Sequence, residues 1–459
     1  MANFGGSEIV ALEVAECFKK NNYIVDIVSN YIGNPVLETV KEAGINLLTT
    51  DELPDPFNYD IVWSQHQVLP ILVNEYINNF NTNTYFIFTH LSPYEYMESL
   101  GLYAEGLFAD KIFANSIETF NQLCHLGLPR DISEILFNAA PSEFFKDKFK
   151  AQFTLQKILL VSNHPPQEIL DAMEILKNEY EIDVIHIGAR GDIKRVTPEL
   201  IQNVDAVVTI GKTVQYAIAG ATPVYCYDHF GGIGWLSIDN YSKAETFNYS
   251  GRCCRRVISA QEIVNEIISG FSKAEKDVHN IKNQTSKKYC LDFYINNIIK
   301  ASKQERIFKP LSSEDKQKIM CESQIVKSIK QYYNGYNNLL SEHKDFQARF
   351  NDLSIKINNL IEHNNYLISE NNITSSKYNE LLFNNNTLTE LNADLVSEKI
   401  KLLENYNLLL LNKDQLLNDF NQLSFSYDKL QNKYLKYKNT FVKRLARKIK
   451  SLYNKKVDF

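Results

Sequence analysis

The side chains best placed to do chemistry lie in three short loops of a chain of 459 residues. Gly211-Lys212-Thr213 follows the apolar run Ala206 to Ile210, and Asp228-His229-Phe230-Gly231-Gly232 follows Val224 to Tyr227. Glycine at 211 lets backbone approach a ligand closely. Thr213 suits a helix N-cap, and Lys212 sets a fixed positive charge beside that helix terminus. Together they suit a phosphate or diphosphate. GKT also ends a P-loop, but G-x-x-x-x-G-K-T needs glycine where this chain has Ala206. A solvated lysine on a connecting loop is the plain alternative for GKT alone, and the adjoining DHFGG loop weighs against it. The third loop is Gly5-Gly6-Ser7-Glu8, a glycine turn entering a helix, with Ser7 as N-cap and Glu8 favourable in the first turn.

These loops need strands and helices to hold them. Apolar runs at 24–28, 61–63, 85–89, 111–114, 134–137, 157–161, 183–187, 206–210 and 224–227 read as strands. Helical patterns separate several of them. Such alternation implies an α/β chain with two parallel-sheet, Rossmann-like lobes facing a cleft, divided at 1–150 and 151–308 with a linker over 141–156. In such sheets ligands sit outside the carboxyl ends of the strands, where the third and fourth strands of the second lobe place GKT and DHFGG. No strand precedes Gly5, so the first sheet is expected to have a gap there.

From Ile329 the period changes. Leucines at Leu353, Leu360, Leu367, Leu388, Leu395, Leu402 and Leu409 keep a d register. Phe350, Asn364, Asn385, Asn392 and Tyr406 occupy a. Leucine at d with asparagine at a specifies a parallel, two-stranded coiled coil over 309–441, a rod of roughly 170 Å and a homodimer. The last stretch, 442–459, is a basic amphipathic helix suited to an anionic membrane surface, with a solvated helix end as the plain alternative.

A formal net charge of -6 argues against nucleic acid as a partner. Seven scattered cysteines form no C-x-x-C pair, so neither a disulfide framework nor a zinc site is indicated, and reduced cytosol fits. Neither a signal peptide nor a membrane-spanning run is expected.

GGSE entering a helix, KIFANSIET, TIGKTVQYAIAGATPVYCYDHFGG and NYSGR together resemble GT-B glycosyltransferases over about residues 1–305. The closest likeness is to the family-4-like branch of bacterial capsule and lipopolysaccharide clusters. The resemblance implies metal-independent transfer of a sugar from a nucleotide-sugar co-substrate, with no other cofactor, to a glycan or lipid-linked glycan acceptor. The donor would sit in the second lobe and the acceptor in the first. It places Gly5 and Gly6 at the donor diphosphate and His90 near the transferred sugar, where an imidazole could accept a proton or bind a phosphate oxygen. For His66, capping a backbone carbonyl is an equal reading. Gly211, Lys212 and Thr213 would meet the diphosphate, with Asp228, His229, Gly231 and Gly232 beside them. Glu245 would take the ribose hydroxyls, or be a surface carboxylate. Arg190 and Arg252 would be phosphate cations.

Two departures stand out. Tyr216 replaces the second glutamate of the family's E-x7-E signature. Ser162 to Pro166 replace the basic pair expected after the first donor-lobe strand. The expectation is therefore a cytoplasmic glycosyltransferase, peripheral at the inner face of the cell membrane, with Lys212 as its main diphosphate cation. A GT-B-fold epimerase and a degenerate scaffold are the alternatives.

Overall fold

A computed structural model describes residues 1–65, 68–81, 83–94, 98, 100–146, 154–304, 310–373 and 385–415, with single positions at 418, 422 and 429. It divides into two units, 1–340 and 341–459.

The first unit holds both lobes. In the first lobe, α1 (Gly6–Lys20) leads to β1 (Asp26–Ser29), α2 (Val36–Glu42) and β2 (Asn46–Thr49). Then come β3 (Ile61–Gln65), α3 (Leu69–Glu75), β4 (Tyr85–His90), α4 (Leu102–Phe108), β5 (Lys111–Ala114), α5 (Ile117–His125) and β6 (Ser133–Ile135). The expected gap is present. β1 and β2 form one parallel sheet and β3-β4-β5-β6 another, with no ladder between them. α1 holds the two together by packing in both directions. Leu12 and Ala15 enter the core with Ile27, Val36 and Val40, while Val10, Val14 and Phe18 enter the core with Tyr85, Ile87 and Phe113. Each such side chain buried contributes roughly 1.5–3 kcal/mol.

The second lobe runs β7 (Lys157–Val161), α6 (Gln167–Glu179), β8 (Asp183–Ile187), α7 (Pro198–Gln202), β9 (Ala206–Thr209), α8 (Lys212–Ala219), β10 (Val224–Asp228), β11 (Gly231–Trp235), α9 (Tyr241–Thr246) and α10 (Ala260–Thr285). Strand order is β11-β10-β9-β7-β8, parallel except for the antiparallel β11. β9 pairs with β7 on the side away from β8, so the order reverses between β7 and β9. The carboxyl ends there are the ligand position of such sheets. The DHFGG stretch is not an open loop. Asp228 ends β10 and Gly231 begins β11, leaving only His229 and Phe230 as the turn.

Two chain crossings join the lobes side by side. The Ala140 amide donates to the Tyr289 carbonyl at 2.7 Å, and the Leu291 amide to the Ala140 carbonyl at 2.9 Å. α11 (Leu291–Ala301) then returns to the first lobe, where Leu291, Ile295 and Ile298 pack with Val10 and Val14.

α12 (Ser313–Ile373) starts on the first lobe as well. Ile319 is fully buried in that lobe's core, and Glu322 caps the start of α4 by accepting from the Tyr103 and Ala104 amides at 2.9 and 3.0 Å.

In the second unit, Phe350 stacks on Tyr406 with ring centroids 6.1 Å apart. One continuous helix would separate those residues by about 84 Å at 1.5 Å per residue. The helical segments ending at Ile373 and spanning 385–415 thus lie side by side, which corrects the expected unbroken rod. The heptad positions over 374–384 and beyond 415 (418, 422 and 429 apart), and the basic tail 442–459, lie outside the described residues.

Candidate functional site

The centre of the cleft is built by α1 from the first lobe and the β9–α8 turn from the second. Gly211 adopts φ 61° and ψ -139°, a conformation open essentially to glycine, and serves as the N-cap of α8. Thr213, expected as the cap, is instead a buried residue inside the first turn. At the start of α1, Gly5 takes the cap position in place of Ser7, whose hydroxyl turns to Glu8 at 3.1 Å. A Cβ on Gly6 would meet nothing within 4 Å, whereas one on Gly5 would stand 2.5 Å from the Glu8 carboxylate, which lies at this helix terminus. Ile9, one turn further along α1, packs into the core of the second lobe. Lys212 and Val10 line one crevice with Val14, Thr89, Leu91 and Asn138. The crevice is thus shared by the middle of α1 and the first residue of α8, and none of Gly5, Gly6 and Gly211 lines it.

Lys212 does not project into open space. Its ammonium lies 2.7 Å from the Glu13 carboxylate and donates to the carbonyls of Ala139 (3.0 Å) and Asn138 (3.4 Å), with the side chain 9% exposed. An ammonium has three protons, and here each has an acceptor. Glu13 is 1% exposed and also accepts from the Tyr216 hydroxyl. Burial and the adjacent Glu13 push that hydroxyl well above its ordinary pKa, so it remains a donor. The Tyr216 ring stacks on Phe144 with centroids 4.0 Å apart. Arg195 grips Glu16 with two hydrogen bonds, at 2.7 and 2.8 Å, and approaches Glu13 at 3.7 Å.

His90 ends β4 and is 3% exposed. Its Nδ1 faces Glu98 at 2.8 Å and its Nε2 faces Glu105 at 2.7 Å. Burial alone would lower the imidazole pKa, but the two carboxylates overcome it and raise the value to about 10. The group is a clamped imidazolium, with neither nitrogen free to take a proton at neutral pH. Glu98 in turn accepts from the Leu91 and Ser92 amides at 3.1 and 3.0 Å, so the cluster shapes the loop after β4. In this state His90 positions that loop and α4. His66 lies outside the described residues.

The remaining sequence-derived residues separate into buried fasteners and exposed groups. Asp228 accepts from Ser250 Oγ (2.6 Å) and from the Phe230 and Gly251 amides (2.8 and 3.2 Å). Gly231 and Gly232 are required by close backbone contact. A Cβ there would stand 2.0 Å from the Arg256 carbonyl and 2.1 Å from the Cys226 carbonyl. Glu245 is buried rather than on the surface, accepts from Tyr289, and pairs with Lys288 at 2.6 Å. Arg252 is bound by Glu118 of α5, with contacts of 2.7 and 3.1 Å, and lies 5.8 Å from both the Tyr94 and Phe230 ring centres. Arg190 and His229 are exposed. The structure thus brings Lys212, next to Gly211, against the middle of α1 at Glu13, while Gly5 and Gly6 lie at the start of that helix, and it sets Arg252 beside Phe230 and near Asp228 through Ser250. Arg190 stands on the separate turn after β8.

Sequence reasoning passed over Glu13, Glu16, Glu98, Glu105, Glu118 and Arg195. One signal was available for Glu13. It sits four residues after Ile9 and between Leu12 and Val14, on the buried stripe of α1, and a carboxylate there requires a partner.

Among the described residues, no cluster of three or more His, Cys, Asp or Glu is placed to hold a metal ion. Nor is any helix long and apolar enough to cross a membrane.

No family model matches the chain, and no curated protein does. Solved structures do. The chain is similar to Alr3699/HepE of Anabaena in complex with UDP and glucose, at 14% identity over 66% of this chain and 96% of that one, with a TM-score of 0.43. The same protein in complex with UDP matches at 12% identity over 66% and 97%, TM-score 0.44. The lipopolysaccharide outer core galactosyltransferase WaaB, in its apo form, matches at 14% over 66% and 97%, TM-score 0.39. The two-lobed α/β architecture described above rests on this chain's own sheets.

Proposed function

We propose that the chain is a glycosyltransferase that moves a sugar from a nucleotide diphosphate sugar to a cell-surface glycan or lipid-linked glycan acceptor. The observation that supports the reading is that α8, which begins with a glycine cap at the strand-order switch point of the second lobe, meets α1 of the first lobe through the Lys212–Glu13 pair. Helix N-termini present unpaired amides and partial positive charge to a diphosphate, and they stabilise a leaving nucleoside diphosphate without a metal. While Glu13 holds the Lys212 ammonium, this electrostatic role falls to the amides around it.

The attachment of 442–459 to an anionic membrane and the cytoplasmic location belong to the same proposal. A second reading, a degenerate lobe pair acting as a scaffold in polysaccharide assembly, is favoured by the engagement of Lys212, Arg195 and Arg252 with carboxylates.

A thermal-shift panel of nucleoside diphosphates and nucleotide sugars separates the two. A ligand bound only by the native state at one hundred times its Kd adds about 2.7 kcal/mol. The transferase reading expects one nucleotide class to raise Tm. A flat panel up to millimolar ligand would leave the scaffold.

A further inference from the structure

Among the described residues, three cations of the second lobe form ion pairs across to the first, all with the same polarity. Lys212, Arg195 and Arg252 come from the second lobe, and their partners Glu13, Glu16 and Glu118 come from α1 and α5 of the first. The central pair is the most enclosed, with side chains 9% and 1% exposed. The Glu13 carboxylate sits where Lys212, the Tyr216 hydroxyl and, at 3.7 Å, Arg195 converge. That donor set of two cations and one hydroxyl suits a phosphate-type anion.

The lysine also donates to the Asn138 and Ala139 carbonyls, which adjoin the crossing at Ala140. Any motion separating α1 from α8 must break the Glu13 pair at the place where the chain passes between lobes.

We propose that Glu13 is a built-in competitor: its carboxylate occupies the anion site of Lys212, Arg195 and Tyr216 and holds the lobes shut, and a diphosphate gains that site only by displacing it. The proposal rests on the reading of the cleft as a phosphate site. The structure is then the self-inhibited, closed state, with Glu16–Arg195 and Glu118–Arg252 as flanking fasteners. Binding and opening are coupled because one anion replaces another on the same cations. A ligand shifts such an equilibrium only by its differential affinity for the two states.

The test uses the full chain and inorganic pyrophosphate as the probe, by calorimetric titration, together with hydrogen exchange in α1 and α8. Glu13→Gln keeps the shape of the side chain and removes its charge. It is expected to bind pyrophosphate about tenfold more tightly than wild type, within the usual range of coupling between sites, and to exchange faster in both helices. Adding Lys212→Met should abolish the gain. Glu118→Gln, at a partly exposed pair, is the second variant: it should accelerate exchange across the interface even if Glu13→Gln fails to fold.

Pyrophosphate binding by Glu13→Gln no tighter than wild type, or a gain that survives Lys212→Met, overturns the proposal. So does unchanged exchange in Glu118→Gln where Glu13→Gln does not fold. A gain in Glu13→Gln alongside a flat nucleotide-sugar panel would retain the latch and discard the transferase reading.

Discussion

Replacing His90 by Gln tests whether this side chain positions the first lobe through its charge. The imidazolium lies between Glu98 and Glu105 at 2.8 and 2.7 Å, all three groups being nearly inaccessible to water. Removing the cation leaves two carboxylates buried without it, and breaking a buried pair in this way costs about 3–5 kcal/mol. The proton balance gives a similar size. A rise of the His90 pKa from 6.5 to about 10 corresponds to about 5 kcal/mol at 1.36 kcal/mol per pH unit, as an upper figure.

The sign follows from the folded value lying above the unfolded one. Below pH 6.5 both states carry the proton and the stabilisation is complete. Above it the unfolded chain releases a proton that the folded chain keeps, so stability falls until about pH 10. Glu105, raised by its burial, acts with the same sign.

Urea denaturation of the first unit, followed by tyrosine and tryptophan fluorescence, should show wild-type stability falling by about 3 kcal/mol between pH 6.5 and 9 from this residue. His90→Gln should start lower and change less over that interval. A loss below about 1 kcal/mol at pH 6.5, or an unchanged pH slope, would refute a charged clamp.

Gly6→Ala should leave stability within about 0.5 kcal/mol of wild type, because its Cβ enters open space. It should weaken nucleotide-sugar binding in the same calorimetric titration if a diphosphate occupies that space. Truncation after residue 340 should preserve the Tm of the lobes. Truncation after 310 should lower it, since that cut also removes Ile319 and Val326, buried to 0% and 2% exposure, at roughly 1.5–3 kcal/mol each, together with the Glu322 cap on α4.

The α/β alternation, the split first sheet and the two helix-opening glycine turns were all legible in the sequence. They depend on local matters: apolar runs with strand chemistry and, at Gly211, a backbone conformation that glycine alone accepts easily. The partners of the charged residues were not legible. Lys212 meets Glu13 from 199 positions away in the chain, and Arg252 meets Glu118 across 134 positions. Nothing in the residues around Lys212 marks it as taken.

The leucine register likewise specified helices in the C-terminal stretch but not their direction, because a heptad seam is equally served by a second chain or by the same chain folded back. Phe350 against Tyr406 decides that point. Composition and spacing thus determined the elements and the cleft between them. Which charges face the cleft and which are consumed in closing it was decided by tertiary packing, because an ion pair depends on distance through space.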